Sequence, residues 1–128
     1  MNIIIDTHIF LWALTDPGRL SPQKRAALET LANTIYVSSV TIAEITIKAS
    51  LGKLQVTYDP VDMAGQSGFE LLDFKGSDAL LLQNMPFHHR DPFDRMLIAQ
   101  ALANEYPLMT EDEKIARYDC PLWREGDE

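Results

Sequence analysis

The chain contains one cysteine, Cys120, so an internal disulfide is excluded, and a lone thiol suits a reducing cytosol. No stretch approaches the ~20 apolar residues of a membrane-crossing helix. The opening residues, Met-Asn-Ile-Ile-Ile-Asp, carry no basic segment and no cleavage site, so they read as a strand and not as a signal peptide. A cytoplasmic protein without membrane contact is expected. Glycine-rich phosphate loops are absent, which removes support for a P-loop nucleotide site. Repeats, low-complexity tracts and internal linkers are also missing. Positive charge is scarce: 11 Lys and Arg stand against 19 Asp and Glu, a formal net charge of −8. That balance weighs against binding nucleic acid by bulk electrostatics. Acids gathered to hold a divalent cation would produce the same balance.

What is present fits one domain over residues 1–128, with 46% hydrophobic and 23% charged residues. Asn2–Ile5 is β-branched without alternation, as in a central strand buried on both faces, and it ends at Asp6. His8–Leu14 reads as a helix apolar on most faces, which requires burial in the core, against a second subunit or against a partner. A turn at Asp16-Pro17-Gly18 leads to a helix over Pro22–Leu31, with Ser21 as N-cap and with Lys24 and Arg25 facing solvent. Ile35–Ser38 is a second strand, followed by a helix from Val40 to Leu51 that stops at Gly52. On that helix Val40, Ala43 and Ile47 form an apolar stripe, whereas Thr41, Glu44 and Lys48 share another face. Further on come a helix from Asp59-Pro60 to Gln66, a strand at Phe69–Leu72 and a helix over Asp78–Met85 ended by Pro86.

Residues 88–115, HHRDPFDRMLIAQALANEYPLMTEDEKI, form the densest unit. Asp91 suits an N-cap, Pro92 the first helical position, and Asp94 follows the cap by three residues. The apolar run MLIAQALA continues the helix until Asn104 and Pro107 stop it. Pro107–Met109 is a short strand, and Thr110, Glu111 and Asp112 follow it directly. A short helix over Glu113–Tyr118, an edge strand at Cys120–Trp123 and a frayed acidic tail at Glu125–Glu128 complete the reading.

Strands alternating with helices predict a small, mainly parallel sheet covered on both faces, a three-layer α/β/α sandwich. Right-handed crossovers then bring Asp6, Glu44, Asp94 and Asp112 toward the carboxyl edge of the sheet. Taken singly, Asp6 is explained as a helix cap and Glu44 as a surface ion pair with Lys48. Taken together, four acids repel one another, and a hard divalent cation such as Mg²⁺ or Mn²⁺ is the natural compensation.

At this point the sequence resembles the PIN domains, specifically the small VapC-type toxin ribonucleases of toxin–antitoxin pairs. The likeness rests on IIIDTHIFLWAL, VSSVTIAEITIKASLGKL and HHRDPFDRMLIAQALANEYPLMTEDEKI, in that order, and covers nearly the whole chain. It implies a PIN-like fold and a metal-dependent endoribonuclease. Asp6, Glu44 and Asp94 match the three principal acids, Asp112 the less regular fourth, and Thr110 a small hydroxyl residue beside them. Asp91 is explained by capping, with a direct metal role as the alternative. His88, His89, Arg90 and Arg95 are candidates for phosphate contact or for a solvated loop. The resemblance also implies an RNA substrate, a homodimer, and an antitoxin encoded beside the gene through which any contact with promoter DNA is made. A non-catalytic PIN-like module that binds RNA or protein, and a DNA-directed nuclease, are the competing readings. A haloacid-dehalogenase-type phosphatase would need an acid where His8 stands, and the acidic pair and lysine of a receiver domain are not evident.

Overall fold

Ile3, Ile4 and Ile5 have no solvent exposure, and the strand they form is the inner member of the sheet. A computed structural model describes residues 1–126 of the chain. In it β1 (Asn2–Ile5) pairs in parallel with β2 (Thr34–Ser38) on one side and β4 (Leu108–Met109) on the other, and β2 pairs with β3 (Glu70–Leu72). The order is β3-β2-β1-β4, with Ile5 beside Val37 and Met109. Alternation along β1 sends Ile3 and Ile5 into one apolar cluster and Ile4 into the other. The first cluster is closed by α1 (Thr7–Thr15), α2 (Pro22–Glu29) and α4 (Pro60–Gln66). The second is closed by α6 (Pro92–Asn104) with Ile115 and Tyr118, while α3 (Ser39–Ser50) gives Ile45 to the first and Val40 to the second. This is the expected three-layer α/β/α arrangement.

The apolar α1 is satisfied within the chain. Ile9 and Phe10 are fully buried, and Leu11, Trp12, Ala13 and Leu14 pack against the same cluster. Helix α2 stops at Glu29, before the expected Leu31, because the Asn33 side chain takes the carbonyl of Ala27 and the Thr34 N–H turns to Met1. Lys24 is buried, not solvent-facing. Its ammonium lies 2.8 Å from Glu111 and 5.7 Å from the Trp123 ring centre, so a charge partner and a ring replace water.

On α3 the expected stripe is corrected. Ala43 and Ile47 are exposed, and the buried face carries Val40, Thr41, Glu44 and Ile45. Polar partners for Thr41 and Glu44 make that burial possible.

Three later segments are looser than expected. The helix expected over Asp78–Met85 is a single α-turn, α5 (Gly76–Ala79), followed by a 3₁₀ stretch at Leu80–Asn84. Leu80 and Leu81 are exposed, so no packed face rewards a regular helix there. The expected Glu113–Tyr118 helix is a 3₁₀ turn, Ile115–Arg117, begun by the Asp112 carboxylate accepting from the Lys114 N–H. The expected edge strand at Cys120–Trp123 is one parallel bridge, Leu108 to Leu122, since Pro121 has no N–H to extend it. Of the acidic tail, Asp127 and Glu128 lie outside the described residues.

Candidate active site

Each acid at the carboxyl edge is set there by a local feature of the sequence. Asp6 leaves β1 and caps α1: its Oδ1 accepts from the Ile9 N–H at 2.9 Å. Its Oδ2 accepts from the Thr110 hydroxyl at 2.5 Å, across from the end of β4. The capping and site readings of Asp6 are therefore compatible, one oxygen for each. Burial pushes the Asp6 carboxyl above its ordinary value, opposed by the bonds from Thr110 and Ile9.

Glu44 sits one turn into α3 and is 4% exposed, so its contact with Lys48 is not a surface ion pair. Oε1 accepts from Thr7 at 2.6 Å, and Thr7 is within 3.1 Å of Thr41; Oε2 meets the Lys48 ammonium at 2.5 Å. The hydrogen bond to Glu44 raises Lys48 above the usual lysine value, which keeps it charged.

Asp94 lies in the first turn of α6. The cap is Asp91, whose Oδ1 accepts from the N–H groups of Phe93 and Asp94. Asp94 itself faces His89, whose Nε2 is 3.2 Å from Oδ2. Its carboxyl is pushed up to about 8, first by burial and then by the negative charges of Asp91, Asp6, Glu44 and Asp112. Asp112 follows β4, where its N–H donates to the Thr110 oxygen at 3.0 Å. Asp6 and Asp112 line a hollow of about 230 Å³ with His8, Trp12 and Glu111. One ligand-capable atom each from His89, Asp94 and Asp112 lie within 4.8 Å of one another.

All five residues expected at the site thus meet at one edge of the sheet, and one lysine stands against the surrounding carboxylates. The donor set of carboxylate oxygens, with the Thr110 hydroxyl beside them, suits a hard divalent cation. The basic loop is divided differently from the expectation. Arg95 is buried, donating to the Pro86 carbonyl at 2.8 Å and to the Tyr118 hydroxyl at 2.9 Å, so it is not free to meet phosphate. His89 is likewise drawn inward. His88 and Arg90 are exposed, and so is His8, whose ring lies 5.7 Å from that of Trp12. From the sequence, Thr7 is already a candidate, like Thr110, for orienting a ligating carboxylate through its hydroxyl, and it does so at Glu44. The parts played by Thr41 and Tyr118 were overlooked. Thr7 directly follows Asp6, and Thr41 lies one position short of a full turn before Glu44, which were signals of a sort; Tyr118 had none.

A parallel α/β/α sheet with carboxylates crowded past its strand ends defines a class of acidic, cation-demanding sites. A family model described as PIN domain matches residues 3–120, and the chain belongs to that family. No curated protein sequence matches it. Among solved structures it is similar to VapBC2 from Rickettsia felis bound to a DNA fragment from their promoter, at 20% identity over 97% of this chain and 98% of that one, with a TM-score of 0.73. It is similar also to DNA-bound VapBC from Salmonella typhimurium, at 16% identity over 95% and 96% of the two chains, TM-score 0.68. The PIN domain endonuclease Utp24 shares 18% identity over 90% of this chain and 74% of that one, TM-score 0.53. At these identities the likeness is one of fold. No described helix is long and apolar enough to cross a membrane.

Proposed function

We propose that the protein is a Mg²⁺- or Mn²⁺-dependent endoribonuclease, the toxin of a VapC-type toxin–antitoxin pair. The observation that carries this reading is the meeting of Asp6, Glu44, Asp94 and Asp112 at one edge of the sheet, where burial first and then the neighbouring acids raise the Asp94 carboxyl to about 8. Such an arrangement is costly without a cation and becomes favourable with one. Asp6, Glu44, Asp94 and Asp112 would hold the metal, which would acidify a bound water and offset charge on the attacked phosphate.

The chain's own groups prepare that site. Thr110 orients one oxygen of Asp6 and receives the Asp112 N–H, tying two acids into one geometry. Thr7 and Lys48 fix both oxygens of Glu44. The positive end of α6 favours the ionised form of Asp94. His88 and Arg90, which are exposed, would meet the phosphate backbone. The likeness to DNA-bound VapBC complexes supports a partner protein of the antitoxin kind; contact with promoter DNA through that partner, a homodimer and action in the cytoplasm belong to the same proposal.

The test is cleavage of single-stranded RNA, structured RNA and single-stranded DNA, with and without EDTA. Cleavage of RNA that EDTA abolishes, and that Asp6→Asn and Asp94→Asn each reduce at least about a hundredfold, is expected. Cleavage that survives EDTA and both substitutions refutes the metal mechanism, and preference for DNA refutes the substrate class.

A further inference from the structure

We propose that His89 is a positioning residue: Tyr118 holds its ring in the Nε2–H form, and that N–H fixes the Asp94 carboxylate without itself ligating metal. The inference follows from counting protons on one buried oxygen. Tyr118 is 4% exposed, and its hydroxyl receives three N–H groups: His88 at 3.2 Å, His89 at 3.3 Å and the Arg95 guanidinium at 2.9 Å. All three partners are obligatory donors, and a hydroxyl has two lone pairs and one hydrogen. The acceptor side of the oxygen is saturated, so its hydrogen must be given away. Among the described residues, the fourth neighbour is His89 Nδ1, at 3.1 Å. Nδ1 therefore accepts, and in the neutral ring the proton resides on Nε2.

Nε2 is the atom that faces Asp94 Oδ2, at 3.2 Å. A protonated nitrogen has no lone pair for a cation. Although the ligand-capable atoms of His89, Asp94 and Asp112 are close enough to share an ion, the ring acts as donor to one of the two acids. Asp94 Oδ1 takes no hydrogen bond from the described residues and is left for the cation. Arg95 is anchored on the Pro86 carbonyl, so the series Arg95, Tyr118, His89, Asp94 leaves the first turn of α6 and returns to the residue next to its start. Hydrogen bonds of this kind to a ligating group are worth about 10- to 100-fold in metal affinity or activity.

The proposal rests on reading Asp94 as a metal ligand, and its first test is independent of that reading. Two-bond ¹H–¹⁵N correlation spectra of the metal-free protein at about pH 8, where an ordinary imidazole is neutral, report which ring nitrogen carries the proton. The Nε2–H pattern is expected, unchanged by Mg²⁺, and Tyr118→Phe is expected to give a mixture of tautomers. The second test compares side chains that reach to different lengths. Gln places an amide N–H near the position of Nε2, whereas Asn reaches only as far as Nδ1. His89→Gln should keep the rate of RNA cleavage within about threefold, while His89→Asn should lower kcat by about 10- to 100-fold with KM little changed. An Nδ1–H pattern, or a Mg²⁺-induced change of Nε2 to an unprotonated nitrogen, overturns the proposal. Equal loss in the Gln and Asn variants overturns the positioning role. If no variant or wild type cleaves RNA, the spectra still decide the tautomer, and the failure belongs to the proposed function.

Discussion

Asp94 is where burial and charge act most strongly on one group. Its side chain is 16% exposed, and its carboxyl titrates at about 8 in place of the ordinary 3.8. Between those values the folded chain retains a proton that the unfolded chain has released. Stability of the metal-free protein therefore falls as pH rises from about 4 to about 8, and the loss is complete above that range. Asp94→Asn removes the titrating group while keeping an oxygen that can accept from His89 Nε2. Near pH 9 and without metal, it is expected to raise the melting temperature by roughly 5 °C or more, and near pH 4 to leave it unchanged. Thermal melts of both proteins across that range, in chelator, check the sign. A difference that does not grow with pH would show that the crowding at Asp94 is not what limits stability.

At the scale of elements, helix α6 brings two acids to the same place for different reasons. Asp91 accepts from two N–H groups of the first turn, and its charge is the largest charge contribution raising Asp94. Cap and charge separate by substitution. Asp91→Asn keeps the capping oxygen and removes the repulsion, so it should equal or exceed the wild type in metal-free stability. Asp91→Ala loses the cap and should cost about 1 kcal/mol, less whatever relief of repulsion returns. Retention of the Mg²⁺-induced thermal shift in Asp91→Asn would fit a cap, and its disappearance would assign Asp91 to the metal.

Such local logic is what the sequence makes readable. Asp6 after an isoleucine run, Asp91-Pro92 at a helix start and Thr110 after a short strand each carry a signal that a few neighbours suffice to express. Where the outcome depended on distant partners, the signal failed. Lys24 looks like a solvent-facing helix residue until Glu111 and Trp123 meet it. Ile47 looks like core until Glu44, held by Thr7, takes the inward face of α3. Arg95 and His89 read as a basic loop because Tyr118, which turns both inward, lies more than twenty residues further on.

For the whole molecule, the formal charge of −8 is less informative than where the acids lie. Asp6, Glu44, Asp94 and Asp112 come from four separate parts of the chain, and only the folded sheet brings them together. The unfolded chain keeps them far apart and largely screened. A divalent cation that uses all four thus binds the native state and has little affinity for the unfolded one, and the melting temperature must rise with its concentration. At a free concentration 100 times the dissociation constant the gain is about 2.7 kcal/mol, which for a chain of this size is a shift of roughly 5–15 °C. Mg²⁺ or Mn²⁺ at millimolar levels is expected to produce it in the wild type. Asp6→Asn and Asp94→Asn should reduce it. Melts in NaCl at matched ionic strength separate specific binding from general screening of a net-acidic surface. If NaCl reproduces the whole shift, or if both variants respond like the wild type, the four acids do not form one metal site.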